Sequence, residues 1–222
     1  MSKVEIFEKE RASNYNQFVE DWIPNYSYFM EKLPKLLSDT DNKDLLVVGC
    51  GTGNEIVQFA KADQDWKITG VDPSPEMINQ AKERLAKHEN IKLIEGLVSD
   101  LSQDRKYGAV TLLLVLHFLE DNGQKLDLLR QIAQRLKTEA PLVMLDITGD
   151  QKQMKTNLKV LKQLLPNNLD KDLLQNRLQR IENDLHYVPE ERLMELCQEA
   201  SFERPIRFFQ TSIYMGWITW KK

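Results

Sequence analysis

Residues 46–55 read LVVGCGTGNE: an apolar run that ends in three glycines, Gly49, Gly51 and Gly53, spaced G-x-G-x-G. Glycine is costly to order, so this spacing marks a place where the backbone must turn sharply or must admit a close neighbour. The next nine residues, NEIVQFAKA (54–62), carry Ile56, Phe59 and Ala60 on one helical face. Strand, glycine turn, helix is therefore the local reading. The start of such a helix presents unpaired N–H groups and a positive dipole end to a polar or anionic ligand.

Working outward, the same alternation repeats. LLVV (45–48), WKITGV (66–71), IKLI (91–94), AVTLLLV (109–115) and PLVMLDI (141–147) read as strands. Between them, 74–88 and 124–137 read as helices. The first has a Ser74 cap, Pro75 at its first position and an apolar face of Met77, Ile78, Ala81 and Leu85; the second faces inward with Leu126, Leu129, Ala133 and Leu136. Continuous apolar strands such as 109–115 are those expected when both sheet faces are covered. A helix over 189–200 precedes two more strands, 206–210 and 212–220. The fold class is α/β: a Rossmann-like, doubly wound, mostly parallel seven-stranded sheet with an antiparallel C-terminal strand pair. The expected organisation is one domain over 1–222. It has a helical cover (1–44), a ligand-binding core (45–150), an inserted helical arm (151–188) and a last helix with terminal hairpin (189–222). In the cover, Phe18, Trp22 and Tyr26 recur every fourth residue although Pro24 interrupts the helix.

Asp72 falls at the end of the second strand, about 20 residues past the glycines, where a carboxylate can accept hydrogen bonds from ribose hydroxyls. Glycine loop and acid together mark a nucleoside-bearing cofactor at the switch point of the sheet. The dinucleotide fingerprint asks for glycine at position 54, and the chain has Asn54, which speaks against a nicotinamide-dependent oxidoreductase. GCGTG (49–53) and VDPSPEM (71–77) instead resemble the first and second motifs of the class I S-adenosylmethionine-dependent methyltransferases. LLVLHFLED (113–121) looks like that family's fourth-strand segment, and 200–222 like its last helix end and strand pair. The resemblance implies S-adenosylmethionine as cofactor and a small-molecule acceptor. It also implies a binding set of Gly49, Cys50, Gly51, Gly53, Asp72, Pro73, Met77, Leu97, Val98 and Val115.

DWIPNYSYF (21–29) and IEGLVSDL (94–101) are similar to the carboxy-S-adenosylmethionine synthase group, which implies that Tyr26 helps enclose the cofactor. That group holds an extra carboxylate with an arginine on the arm. The matching position here is Leu178, with Arg177 and Arg180 beside it, so a plain methyl donor is the better expectation and a synthase linked to tRNA modification the alternative. The chain departs from the class I pattern at three points. Val47 stands where an acid is usual, Leu97 follows Gly96 where Asp is frequent, and TEAP (138–141) replaces a glycine-rich turn. A lost charge-assisted hydrogen bond is worth roughly 1.5–3 kcal/mol, so a non-catalytic protein that kept the fold is a further alternative, with Glu55 and Asp100 as candidate substitutes.

Methyl transfer from a sulfonium is an in-line displacement, and it requires a base only when the nucleophile carries a tightly held proton. No fixed catalytic motif is expected. His117 and Tyr187 are the candidates for acid–base or orienting work, with His186 nearby; His88 reads as a solvated helix end. Cys50 and Cys197 form neither a disulfide framework nor a zinc spacing, and no metal site is expected. A net charge of −4 argues against a general nucleic-acid binder. The charged N-terminus is not a secretory signal and no run is long enough for a membrane span, so a cytoplasmic location is expected. Tyr214, Trp217 and Trp220 on the last strand read as packing, or else as part of a homodimer face.

Overall fold

The computed structural model describes residues 4–222. Its strands are Asp44–Val48 (β1), Lys67–Asp72 (β2), Ile91–Glu95 (β3), Ala109–Leu113 (β4), Pro141–Ile147 (β5), Ile206–Thr211 (β6) and Tyr214–Trp220 (β7). They form one sheet in the order β3-β2-β1-β4-β5-β7-β6. β1 to β5 are parallel to their neighbours, and β7 runs antiparallel to both β5 and β6. The sequence order reverses between β1 and β4, which opens a crevice beyond their carboxyl ends.

The helices are Glu10–Ser13 (α1), Tyr15–Trp22 (α2), Tyr26–Leu36 (α3), Asn54–Ala62 (α4), Pro75–Leu85 (α5), Gln124–Arg135 (α6), Gln151–Leu164 (α7), Lys171–Asn183 (α8) and Glu190–Glu199 (α9). Alternation along β1 divides the core. Leu45 and Val47 face a cluster with α2 to α5 and α7, whereas Leu46 and Val48 face α6 and α9. The cover over 1–44 buries Val19, Trp22, Tyr26, Phe29 and Leu33 against the first of these faces. The arm is two helices, each started by an aspartate: Asp150 accepts from Gln153 N–H, and Asp170 from Leu173 N–H. Met154, Leu158, Leu161 and Ile181 of the arm join the same face.

Four sequence expectations change in detail. The fourth strand stops at Leu113 rather than 115, because Leu114 takes a left-handed φ of 60° and Leu116–Phe118 wind into a 3-10 turn. Ser74 does not cap α5 with its side chain; its Oγ accepts instead from the Phe7 N–H at 2.9 Å, fastening the N-terminal segment to the sheet. Helix α6 buries Lys125, Ile132 and Arg135 as well as Leu129, Ala133 and Leu136, while Leu126 is only half-buried. Tyr214 and Trp217 lie in the core, so neither offers a face to a second copy; Trp220 is half-exposed.

Candidate active site

The glycine loop leaves β1 by folding back on β2. The N–H groups of Gly49 and Cys50 both donate to Val71 O, at 2.9 and 3.1 Å. Gly49, Gly51 and Gly53 have φ values of 69°, 50° and 80°, a region that side chains disfavour. At Gly49 space adds to conformation, since a Cβ there would stand 2.4 Å from Val115 Cγ2. Opposite the loop, Asp72 Oδ2 accepts from Gly51 N–H and Oδ1 from Ser74 N–H, each at 2.9 Å. Burial raises its pKa while these two N–H groups pull the other way. Each carboxylate oxygen retains acceptor capacity for one further donor.

Loop and acid open onto a cavity of about 860 Å³, at the upper end of the range for small-molecule sites. Gly49, Gly51, Asp72, Pro73, Met77, Leu97, Val98 and Val115 line it, as does His117. Tyr26 and Cys50 do not. They border a separate space of about 10 Å³ behind the loop, where Tyr26 Oη accepts from Asn54 Nδ2 at 3.2 Å. Burial pushes the Cys50 thiol well up. Gly53 lies under α5, close to Leu85, and Tyr187 is packed outside the cavity lining. His186 contributes its backbone, its N–H donating to His117 O at 2.8 Å, while its ring side is exposed.

His117 is held by a residue that the sequence reading passed over. Asp146, the one acid of β5, sits 3% exposed in an otherwise apolar strand. Its Oδ2 accepts from Val115 N–H (3.1 Å) and Leu116 N–H (2.8 Å); its Oδ1 accepts from Ile147 N–H (2.8 Å) and lies 2.8 Å from His117 Nδ1. With three backbone donors aimed at it, Asp146 is an ionised acceptor, and His117 Nδ1 is the donor. In the neutral ring, Nε2 is then the nitrogen with the lone pair. The available signal was the charge itself: an aspartate inside a strand buried on both faces requires partners.

Glu55, from the first turn of α4, is buried under the glycine loop. Thr111 Oγ1 donates to it at 3.3 Å, and burial pushes its pKa up to about 8. Thr111 is the β4 partner of Val47 in the sheet register. The carboxyl therefore reaches the neighbourhood of the position where Val47 lacks one, in the neutral form at pH 7. Asp100 is used otherwise, its Oδ2 accepting from Leu97 N–H at 2.8 Å to shape the turn after β3.

Beyond the loop, the cavity is walled by the N-terminal segment and the arm. Phe7 packs edge-on against Tyr15 and Phe118, with centroids 5.5 and 5.8 Å away. Glu5 pairs with both Arg11 and Arg180, which hold its carboxyl below the usual range. Leu178 turns toward the core, whereas Arg177 lines the cavity. No group of three or more His, Cys, Asp or Glu that could hold a metal is present among the described residues.

A doubly wound sheet of this strand order, with a glycine loop facing an acid at the end of the second strand, is the arrangement that the class I resemblance of the sequence implies. Residues 45–139 match the family model described as a methyltransferase domain. Among curated proteins, the uncharacterized methyltransferase C1B3.06c of Schizosaccharomyces pombe is 40% identical over 58 residues, 26% of this chain. The matched stretch spans only 20% of that protein's length. Among solved structures, a Nostoc punctiforme PCC 73102 protein assigned to the O-methyltransferases superposes with a TM-score of 0.71 at 16% identity, covering 100% of this chain and 64% of that one. Magnesium protoporphyrin IX methyltransferase from Synechocystis PCC 6803, solved with bound SAH, gives a TM-score of 0.63 at 15% identity, covering 91% and 86%. No helix among the described residues is long and apolar enough to cross a membrane.

Proposed function

We propose that this chain transfers the methyl group of S-adenosylmethionine to a small-molecule acceptor, with His117 as the group that orients the acceptor's nucleophile and takes its proton. The observation that carries the reading is the convergence of Gly49, Gly51, Asp72 and the His117–Asp146 pair on one cavity. The residues suit the cofactor. Gly49 gives a backbone surface that a Cβ would fill, Asp72 keeps acceptor capacity for ribose hydroxyls, and Leu97 and Val98 offer an apolar wall for a flat base. When bound, the cofactor supplies the electrophilic methyl group. The protein's own part is to align, exclude water and manage one proton. His117 Nε2 can accept a hydroxyl or amine proton, and Asp146 stabilises the imidazolium that results.

Calorimetric titration of the purified chain with S-adenosylmethionine and S-adenosylhomocysteine tests this, with Asp72→Ala as the control. Micromolar binding, weakened roughly 100-fold or more by loss of the Asp72 hydrogen bonds, is expected. Silence with both ligands would remove the enzyme reading. Two of the other readings lack comparable support. Nothing in the cavity lining favours a nicotinamide, and the arm position aligned with the synthase clamp is Leu178, which packs into the core.

A further inference from the structure

Among the charged side chains in the cavity wall, Glu5, Arg11 and Arg180 pair with one another, while the exposed Asp127 has no ion pair among the described residues. Glu5 is bound by Arg11 and Arg180. Asp21 accepts from Gln17 Nε2 at 2.8 Å, and Asp72 belongs to the glycine loop. Arg177 is different. It forms no ion pair or hydrogen bond within the protein among the described residues, yet it is half-buried on the cavity wall. Its guanidinium carbon sits 3.7 Å over the Phe18 ring and 5.6 Å from the centroid of Trp22. Trp22 is itself fixed, 3% exposed in the same core cluster as Tyr214. A guanidinium held against an aromatic face has its plane fixed while its N–H edge stays free, the arrangement suited to a planar anion. Burial and the neighbouring cations Arg180 and Arg11 act against its charge, and no carboxylate answers them.

We propose that Arg177 is the anchor for a carboxylate on the methyl acceptor, so that the substrate is an organic acid with an apolar, aromatic-compatible body. This rests on the methyltransferase reading of the same cavity. The body has its counterpart in Trp22, Ile147, Leu173 and Tyr214, apolar and aromatic side chains of the same cavity wall. An uncharged acceptor would leave this half-buried guanidinium without an anionic partner, whereas a carboxylate can take two of its N–H groups at once. The other carboxylate that could reach Arg177 is that of the cofactor's own amino-acid portion, and the experiment separates the two.

The chain saturated with S-adenosylhomocysteine is titrated with a set of arylalkanoic acids of increasing length, from phenylacetate to 4-phenylbutyrate and indole-3-acetate. Each acid is paired with its neutral amide, and the titrations are repeated with Arg177→Met and Arg177→Lys. The expected result is that at least one acid binds about tenfold or more tightly than its amide. That preference vanishes in Arg177→Met and survives in part in Arg177→Lys, while S-adenosylhomocysteine affinity and thermal midpoint stay within experimental error of the parent. The proposal is overturned if no acid in the set outbinds its amide, or if Arg177→Met weakens S-adenosylhomocysteine itself, which assigns Arg177 to the cofactor. Failure of the parent chain to bind S-adenosylhomocysteine at all is a separate outcome. It removes the methyltransferase reading and this inference with it.

Discussion

Glu55 shows how far a single side chain can depart from its ordinary behaviour. Desolvation raises its pKa from 4.5 to about 8, so between those values the folded chain holds a proton that the unfolded chain has released. Its contribution is full below pH 4.5 and is lost as the pH rises through 8, at roughly 1.4 kcal/mol per unit inside that window. Thermal melts of the parent and Glu55→Gln from pH 5 to 9 are therefore expected to converge toward the variant's favour as pH rises, with a flatter profile for the variant. At Gly49 the expectation concerns shape. Gly49→Ala meets both a φ of 69° and the Val115 side chain, and a loss of about 2–4 kcal/mol in a denaturant titration follows. For His117, exchange to Asn removes the proposed proton acceptor. A fall of roughly 10²–10⁴ in kcat with an identified acceptor is expected, with S-adenosylhomocysteine affinity unchanged in calorimetry. Asp146→Asn is expected to lower kcat as well and to reduce stability, because three backbone N–H groups then share a neutral acceptor.

At the level of elements, the sequence was most legible where a hydrophobic period ran unopposed. Asn54–Ala62 and Pro141–Ile147 have the bounds that their patterns predict. The pattern failed where tertiary polar contacts redirect the chain. LLV (113–115) looks like strand to its end, but the Asp146 carboxylate, 31 residues on, draws the Val115 N–H out of the ladder. Helix α6 shows a second failure, because binary patterning assigns Lys125 and Arg135 to solvent. Instead Arg135 crosses to Leu101 O at 2.7 Å, and Lys125 Nζ donates to Leu116 O within the 3-10 turn that carries His117. Apolar stems make this burial tolerable, and the carbonyls complete it. Lys125→Met keeps the stem and removes the donor. A loss of about 1–3 kcal/mol, together with faster amide exchange across Val115–Phe118, is expected from hydrogen-exchange measurements.

Across the whole molecule, the fold was readable because it rests on local signals, alternating apolar runs above all, and the glycines and strand-end acid picked out by the same reading do meet at one cavity. The rest of the cavity wall was not readable, since it is assembled from segments far apart in sequence. Phe7, Trp22, Phe118, Arg177 and Tyr214 carry no common motif, and only packing brings them to one cavity. The same assembly predicts a global response to ligand. At 100 times its dissociation constant, a ligand that binds only the folded chain adds about 2.7 kcal/mol. For a chain of 222 residues this is a rise of roughly 5–10 °C in Tm, read by calorimetry and absent in Asp72→Ala.

The position of β7 bears on how the protein is made. This strand lies between β5 and β6, yet it is the last of the described strands in chain order. A ribosome that has released residues up to β6 has delivered a strand with nowhere to attach, because its sole partner in the sheet is still unsynthesised. During that interval the outer edge of β5, the apolar strand that carries Asp146, remains an open pairing template. The sheet edge therefore stays open to wrong pairing until Tyr214–Trp220 emerges and joins β5 and β6 in one step.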